Sequence, residues 1–321
     1  MNAAVRRAAQ VLRAGGLVAF PTETVYGLGA DAANAQAVAK LYAAKRRPAD
    51  HPVIVHFADA ERAFAWARDV PEAAHQLAAA FWPGPLTLIL QRAPGVGEFI
   101  TGGQDTVGLR VPSHPVAQQL LRAFAGKSAA ERFSGIAAPS ANRFGRISAT
   151  TAQHVREDLG GDVDCVLEGG PSEVGIESTI LDLSRRTPVL LRPGAVSAEA
   201  LEHALGAAVS TADAHAPRAP GTLERHYAPQ TPMRLVPAYA LDAEIAKIGA
   251  RLAVLAFSRP DERVDCWLRM PRAPEAYARR LYAALRELDS AECDEILIEN
   301  PPDGSAWRAV RDRLQRAASR A

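Results

Sequence analysis

The sequence predicts an α/β protein, because short apolar runs alternate with helical stretches along most of its 321 residues. The apolar runs in the first two thirds of the chain are residues 17–20, 52–57, 86–90, 107–111, 136–138 and 179–183. The runs 178–183 and 189–192 follow one another without space for a helix, so we expect a mixed sheet rather than a wholly parallel one.

The last third of the chain predicts a second, smaller α/β unit. Its strand and helix patterns alternate in the order β, α, β, α, β, α over residues 233–236, 241–248, 251–257, 274–288, 295–299 and 307–318. A chain of this length also exceeds the size at which a single core keeps growing. We therefore predict a first domain over residues 1–206, a linker over 207–232 and a small α/β C-terminal domain over 233–321.

The predicted linker is rich in Ala, Thr, Pro and Gly and has little apolar periodicity. Its segment 220–229, however, carries charged, imidazole and phenol side chains. This composition indicates that the segment makes contacts with the folded domains rather than acting as a plain spacer.

Composition restricts the class of protein. The formal net charge is +1 and the hydrophobic content is 48%, so an anion site must be local rather than a property of the whole surface. The three cysteines are scattered without CxxC spacing, which favours neither a disulfide framework nor a zinc site. With no apolar run of the length a bilayer needs, we expect a cytoplasmic protein that does not bind membranes.

Lys45 and Arg47 form the first candidate site, at the point where a helix pattern gives way to a strand pattern. Only four of the 37 basic residues are lysines, so a compact ammonium at this position stands out. The pair is typical of an anion site. The alternative is that both are solvated residues at a helix end, where the helix dipole favours cations.

Other polar groups lie at the ends of predicted strands. Residues 21–29 follow the first strand with two threonines, a glutamate and two glycines, which predicts a tight turn near a ligand. His51 precedes the second strand and His56 lies in it, where a histidine is as often a packing residue as a ligand-binding one. Arg110 lies in an apolar strand and needs either an internal acid or a ligand carboxylate.

Later strand ends continue this pattern. Ser140 and Asn142 follow a strand and point the same way if the segment is extended, although an Asx or Ser turn explains them equally well. Ser178 opens one strand and Arg192 closes the next. Neither GxGxxG after the first strand nor GxxxxGK[ST] is present, so the two familiar phosphate loops are absent from the sequence. The pattern predicts a site for a molecule with phosphates and a carboxylate.

Taken together, these motifs resemble the threonylcarbamoyl-AMP synthase family in its long form, with a YrdC-like domain followed by a small Rossmann-like C-terminal domain. The resemblance rests on PTETVYGLGADA (21–32), KRRPADHPVIVH (45–56), FWPGPLTLIL (81–90), TVGLRVPSHP (106–115), APSAN (138–142), ESTILDL (177–183), LRPG (191–194) and GTLERHYAP (221–229). It implies a twisted mixed sheet with flanking helices. The segment Gly126–Ser134 is longer than the resemblance implies.

The resemblance also implies an activity: L-threonine, bicarbonate and ATP condense to L-threonylcarbamoyl-AMP and pyrophosphate, the first step of the t6A modification of tRNA. The family's KxR…SxN tetrad falls on Lys45, Arg47, Ser140 and Asn142. The residues implied to bind ATP are Arg47, His51, Thr106, Ser140, Ser148, Arg192 and Tyr227. Those implied to bind threonine are Thr24, His56, Arg110, Ala138 and Ser178.

The same resemblance implies Mg²⁺ held by the ATP phosphates and a downstream tRNA threonylcarbamoyl-transfer machinery as partner. Strong direct binding of nucleic acid is not expected, given the balanced net charge. Two other hypotheses stay open at this point. One is an RNA-binding module that uses arginines at 47, 110, 143, 146 and 192, and the other is a carbamoyl-transfer or ATP-hydrolysing relative on the same fold.

Overall fold

A computed structural model describes residues 2–125 and 133–319, so most of Gly126–Ser134 lies outside the described residues. The strands of the first sheet are β1 (Val18–Phe20), β2 (Gly27–Asp31), β3 (Ile54–His56), β4 (Leu86–Gln91), β5 (Thr106–Arg110), β6 (Ile136–Ala137), β7 (Cys165–Val166), β8 (Thr179–Asp182), β9 (Val189–Arg192) and β10 (Ser210–Thr211). Those of the second are β11 (Met233–Val236), β12 (Leu252–Ala256), β13 (Cys266–Arg269) and β14 (Glu295–Glu299).

The α-helices lie between these strands and at both ends of the described chain. They are α1 (Ala3–Arg13), α2 (Ala35–Lys45), α3 (Ala60–Phe64), α4 (Glu72–Phe81), α5 (Glu98–Thr101), α6 (Pro115–Ala125), α7 (Ala152–Leu159), α8 (Ala198–Leu205), α9 (Leu241–Ile245), α10 (Pro274–Asp289) and α11 (Arg308–Ala318). None of the helices in the described ranges is both long and apolar enough to cross a bilayer.

The first sheet is mixed, as predicted. Its strand order is β10-β9-β8-β4-β5-β3-β6-β2-β1-β7. Strands β3 and β5 are parallel, as are β4 and β8, whereas β4 and β5 and also β8 and β9 are antiparallel. The antiparallel pair β8 and β9 is the one that the sequence predicted from two runs without an intervening helix.

The second sheet is wholly parallel in the order β11-β14-β12-β13, which confirms a small Rossmann-like C-terminal domain. Alternate residues of its strands face opposite sides, as strand geometry requires. Leu255 and Ile298 pack with α10 and α11 on one face, while Val254 and Leu297 pack with α9 on the other. The boundaries at 206/207 and 232/233 stay predictions.

Four of the strands in the described ranges were missing from the sequence-based expectation, namely β2, the two-residue β7, β10 and β13. Residues 21–29 were predicted as a turn, but Gly27 opens β2, which pairs with β1. Gly29 suits this strand because a Cβ there would lie 2.9 Å from both Phe20 and Ile136. Strand β10 lies inside the predicted linker and pairs with β9, and the short, only partly buried β13 carried no clear apolar pattern.

The two faces of the first sheet have different roles. Val55 of β3 and Leu109 of β5 point into the largest apolar core, whereas their neighbours His56 and Arg110 point to the opposite face. Helices α10 and α11 and the linker cover part of that opposite face, since Tyr227 packs in one cluster with residues of both helices. The candidate site lies in the space between them.

Candidate active site

Polar side chains from at least five strand ends and from the linker meet around one cavity, here called the central cavity. Four cationic side chains line it against a single carboxylate, so it is suited to an anionic ligand. Its lining residues are Thr24, Val25, Lys45, Arg47, Ile54, His56, Arg110, Ala138, Pro139, Ser140, Asn142, Phe144, Glu177, Ser178, Arg192, Pro220, Gly221, His226 and Tyr227.

Lys45 is the last residue of α2 and is 1% exposed, which excludes the solvated helix-end alternative. Its ammonium donates to the main-chain carbonyls of Ser140 and Asn142. Burial and the nearby Arg47 lower the pKa of Lys45 well below its usual value, and the carboxylates of Asp158 and Glu177 oppose this shift only in part. An anion in the cavity would therefore be a favourable partner for this ammonium.

Arg47 follows the helix through Arg46, whose φ of 53° turns the chain at the C-cap. Its Nη2 donates to the carbonyl of Pro52 across 2.7 Å, and its guanidinium lies 5.4 Å from the ring centre of Phe144. The Nε has no hydrogen-bond partner among the described residues. This leaves a buried N–H group for a ligand, since buried donors rarely stay unpaired.

The Ser140–Asn142 segment follows β6 and is fixed by its backbone. Ser140 forms a bridge with Gly27 of β2, and the side-chain nitrogen Nδ2 of Asn142 donates to the carbonyls of Arg143 and Arg146. The Asn142 side-chain oxygen is buried without a described partner. Both Ser140 and Asn142 line the central cavity, and the choice between an extended pair and an Asx or Ser turn stays a prediction.

Arg110 has an internal acid. Its Nη2 donates to the Glu23 carboxylate across 2.7 Å, and its Nε donates to the carbonyl of Gly84. His56 pairs with Arg110 in the register of β3 and β5 and is 3% exposed. Burial, together with Arg110, lowers the pKa of His56 to about 3, so its imidazole is neutral near pH 7. Its Nδ1 has no hydrogen-bond partner among the described residues.

Ser178 and Arg192 form one unit on the other side of the cavity. Arg192 donates to the carbonyl of Ser178 from Nε, to the Ser178 hydroxyl from Nη2, and to the carbonyl of Pro220 in the linker from Nη1. The Ser178 hydroxyl is also 2.8 Å from the Thr87 hydroxyl. Burial lowers the pKa of the Arg192 guanidinium, which has only neutral oxygens as direct partners in these contacts.

Two smaller positions complete the wall nearest to Arg110. Thr24 is buried with its hydroxyl 2.8 Å from the hydroxyl of Thr22. The amide of Ala138 donates to the carbonyl of Ile54, which holds the start of the Ser140 segment against β3. Small side chains at these positions leave room for a ligand against the sheet.

Tyr227 belongs to the linker and adopts a φ of 63°, a left-handed conformation that is uncommon for a bulky residue. It is 1% exposed, and its hydroxyl has no described partner. The main-chain amide of Ala228 donates to Gly145, and that of His226 donates to the carbonyl of Arg316 in α11. The linker is therefore fixed to both domains.

The structure brings most, but not all, of the predicted site residues together. Thr106 is at the opposite end of β5 from Arg110, a distance of about 13 Å along the strand. His51 does not line the cavity but packs edge-on against Phe144, which does. Ser148 lies one layer behind the lining, where its hydroxyl donates to Glu177. The roles predicted for these residues stay predictions.

Sequence reasoning also missed several lining or supporting residues. Glu23 and Glu177 were part of quoted motifs without a role, and Phe144 and His226 were not singled out. Arg313 of α11 was missed altogether, although it has a sequence signal. Val310, Arg313, Leu314 and Ala317 are spaced as one helix face, and a lone arginine on an otherwise apolar face requires a buried partner.

The carboxylates near the central cavity do not resemble a metal site. Glu23 accepts from Arg110 and Glu177 accepts from Arg313, so each carboxylate already pairs with an arginine. Within residues 2–125 and 133–319, no group of three His, Cys, Asp or Glu side chains could hold a metal ion. Mg²⁺ held by the ATP phosphates stays a prediction.

Comparison with known proteins gives two family matches. The model described as "Telomere recombination" matches residues 10–194. The model described as "Threonylcarbamoyl-AMP synthase, C-terminal domain" matches residues 196–319. The two matches together cover both sheets and the linker.

Individual relatives agree along the whole chain. Threonylcarbamoyl-AMP synthase of Pyrococcus abyssi is 40% identical over 98% of this chain and 94% of that protein. The Bacillus subtilis protein of the same name is 39% identical over 98% of this chain and 92% of that protein. The crystal structure of P. abyssi Sua5 complexed with L-threonine superimposes with a TM-score of 0.88 at 38% identity, covering 98% of this chain and 94% of that chain.

Proposed function

The chain belongs to the long form of the threonylcarbamoyl-AMP synthase family, and from this premise we propose that it condenses L-threonine, bicarbonate and ATP to L-threonylcarbamoyl-AMP and pyrophosphate. The YrdC-like first domain and small C-terminal domain are those that the resemblance implied. The observation that carries the proposal is the central cavity, in which four cations and a set of short polar groups converge.

The cations Lys45, Arg47 and Arg192 support binding of the ATP triphosphate. Each is buried and bonded mainly to carbonyl oxygens, so none is neutralised by a carboxylate in direct contact. A polyanion that enters the cavity would regain the charge partners that burial removed. We assign His51, Thr106, Ser148 and Tyr227 to the ATP side on the family pattern alone.

The wall formed by Thr24, His56, Arg110, Ala138 and Ser178 supports binding of the amino acid. Arg110 is oriented by Glu23 and still lines the cavity, where a guanidinium suits a carboxylate. The neutral imidazole of His56 has a free ring nitrogen for the threonine hydroxyl. A buried polar partner discriminates against valine, because it would stay unpaired at a cost of about 1–3 kcal/mol.

The proposed chemistry has two steps. The threonine amine attacks bicarbonate, water leaves, and an N-carboxylated threonine forms. Its new carboxylate oxygen then attacks the α-phosphorus of ATP, the bond to the β-phosphate oxygen breaks, and pyrophosphate departs. Both partners of the second step are anions, so their repulsion is a main part of the barrier. Lys45 and Arg47, supported by the Ser140–Asn142 segment, offset that charge where the anions meet.

Closure of the cavity protects the intermediates from water. The linker residues Gly221 and Tyr227 form one side of the lining, and Tyr227 is buried against the C-terminal domain. Excluding water matters because both the carbamate and the mixed anhydride hydrolyse readily. Mg²⁺ would enter on the ATP phosphates and supply additional positive charge there.

We further propose that the reaction takes place in the cytoplasm and that the product passes to a tRNA threonylcarbamoyl-transfer machinery. The adenylate is a labile acyl-phosphate compound, so an enzyme that consumes it must follow. The carbamoyl-transfer hypothesis differs in using carbamoyl phosphate, and the RNA-binding hypothesis differs in needing no small substrate.

A pyrophosphate-release assay tests the proposal. We expect release from ATP only when L-threonine and bicarbonate are both present, with incorporation of labelled bicarbonate into an adenylate. Valine in place of threonine should reduce the rate by about tenfold or more, as the loss of one buried hydrogen bond implies. Release that ignores threonine or bicarbonate, or activity with carbamoyl phosphate alone, would reject the proposed reaction.

A further inference from the structure

Arg313 lies on the buried face of α11, in the C-terminal domain, with its side chain fully buried. Its neighbours on that face are the apolar residues Val310, Leu314 and Ala317. A guanidinium in this position is costly unless its N–H groups are paired. Its Nη1 donates to the carboxylate of Asp312 in the same helix, and its other partners lie in the first domain, at the wall of the central cavity.

The first partner is Glu177, a lining residue of the central cavity. Arg313 Nε donates to one carboxylate oxygen across 2.8 Å, and Tyr282 of α10 donates its hydroxyl to the same oxygen across 2.9 Å. Ser148 donates to the other oxygen. Every oxygen of this carboxylate thus has a donor from the protein, two of the three donors coming from the C-terminal domain, so Glu177 serves as a fixed anchor.

Two further contacts connect Arg313 with the strands that deliver Ser178 and Arg192. Its Nη2 donates to the carbonyl of Pro193 across 3.1 Å and approaches the carbonyl of Glu177 at 3.5 Å. Glu177 directly precedes Ser178, and Pro193 directly follows Arg192. One guanidinium therefore links the start of β8 to the end of β9, immediately beside the Ser178–Arg192 pair.

The same guanidinium also contacts the linker. Its central carbon lies 5.2 Å from the ring centre of Tyr227, within the range of a cation–π interaction. The ring of Tyr282 also stacks with the ring of Tyr227, with the two ring centres 5.7 Å apart. Tyr227 in its left-handed conformation is consequently held by two side chains of the C-terminal domain.

We propose that Arg313 is a positioning residue through which the C-terminal domain completes the ATP side of the central cavity. It fixes Glu177 and Pro193, and thereby orients Arg192, and it holds Tyr227 in the closed linker conformation. The C-terminal domain is in this view a part of the site rather than a tether. The ATP part of the inference rests on the proposed function, whereas the linker part does not.

The test compares variants of the full chain. Arg313→Met removes the charge and the donors but keeps the length of the side chain. Arg313→Lys keeps the charge but cannot bond Glu177 and Pro193 together with a planar fork. Arg311→Met is the matched control, since Arg311 lies two residues away and bonds to Pro302 and the exposed Asp303.

Two quantities are measured, namely hydrogen exchange without substrates and the Kd for ATP by calorimetry. For Arg313→Met we expect exchange of residues 221–229 to accelerate about tenfold and the Kd to rise about tenfold. Exchange of β12, inside the C-terminal core, should stay unchanged. Arg313→Lys should lie between Met and wild type, and Arg311→Met should match the wild type in both measurements.

Unchanged linker exchange and ATP affinity in Arg313→Met would overturn the inference. Equal acceleration in β12 and in the linker would do so too, since Arg313 would then be a general packing residue. If Arg313→Met does not fold, Arg313→Lys decides: wild-type ATP affinity and linker exchange would reject the positioning role. If the wild-type chain itself does not bind ATP, the proposed function fails, while linker exchange still decides whether Arg313 holds Tyr227.

Discussion

Arg110 donates to the carboxylate of Glu23 across 2.7 Å, and both side chains are at least 94% removed from solvent. The two residues are 87 positions apart in sequence and meet only because β5 ends beside the loop that precedes β2. The pair places a cation in the wall of the central cavity without leaving it unpaired when the cavity is empty. In the proposed function, a ligand carboxylate would add to an existing ion pair.

Breaking this pair should destabilise the protein strongly. Arg110→Met leaves the Glu23 carboxylate buried beside only the Ser113 amide, so we expect the free energy of unfolding to fall by about 3–5 kcal/mol. Adding Glu23→Gln in the same chain should recover part of that loss. Urea unfolding measures both. A double variant less stable than Arg110→Met by the full cost of Glu23→Gln alone would show that the two residues are not coupled.

Lys45→Met should abolish activity with little effect on folding. The ammonium is buried, so its removal relieves a desolvation cost that offsets the loss of two hydrogen bonds to carbonyls. We expect pyrophosphate release to fall at least about 100-fold, because a preorganised charge at the anions is lost. The free energy of unfolding should change by less than about 2 kcal/mol.

Lys40→Met is the matched control, since Lys40 is an exposed residue of the same helix that bonds the Gly15 carbonyl. It should retain wild-type pyrophosphate release. Parallel losses of melting temperature and activity in Lys45→Met would instead make Lys45 a structural residue.

Stability should decrease on acidification below pH 6.5. Burial lowers the pKa of His56 to about 3, and the nearby Arg110 adds to this effect. Burial also lowers the pKa of His226 to about 3. The carboxylate of Glu177 opposes that shift, whereas Arg47, Lys45 and Arg192 add to it. Between pH 6.5 and 3 the two histidines bind protons in the unfolded chain but stay neutral in the folded chain. Stability is therefore full above pH 6.5 and is lost as pH falls toward 3.

Each histidine contributes at most about 1.4 kcal/mol per pH unit in this range. His56→Asn should accordingly flatten the dependence of the free energy of unfolding on pH between 6 and 4. Replacement of the exposed His203 by Asn should leave the dependence unchanged. An identical slope in His56→Asn and the wild type would mean that His56 charges freely in the folded protein.

A chain that ends at Leu205 should fold but turn over poorly. It retains the sheet from β1 to β9, yet it lacks Tyr227 and leaves Glu177 without Arg313 and Tyr282. It also uncovers Val25, Ile147 and Ile176, which pack against the C-terminal helices. We expect a circular dichroism spectrum of a folded α/β protein with pyrophosphate release about 100-fold lower. Full activity would reduce the linker and the C-terminal domain to accessories.

Much of the fold was predictable because it depends on local patterns. Alternation of apolar runs gave most strands of both sheets, and the paired runs 178–183 and 189–192 predicted the mixed sheet. Strand β2 was not predicted because its glycines, which allow close packing against Phe20, are also typical of a turn. Strand β10 was not predicted because it has only two residues and is defined by its pairing with β9, not by a pattern in its own sequence.

The candidate site was predictable only as far as its polar groups lie at strand ends. Lys45, Arg110 and Arg192 could be singled out as charges next to apolar runs. The pairing of each acid with its arginine could not be predicted, because Glu23 and Arg313 are far in sequence from their partners. The position of Thr106, on the correct face of β5 but at its far end, likewise depends on register and not on composition.

A crystal structure of the full chain with L-threonine and a non-hydrolysable ATP analogue would show whether the central cavity is the active site. We expect both ligands in the central cavity, with the triphosphate in contact with Lys45 and Arg47 and the threonine carboxylate on Arg110. A nucleotide bound elsewhere, such as in the interdomain cavity lined by residues 193–199 and the starts of α10 and α11, would contradict it.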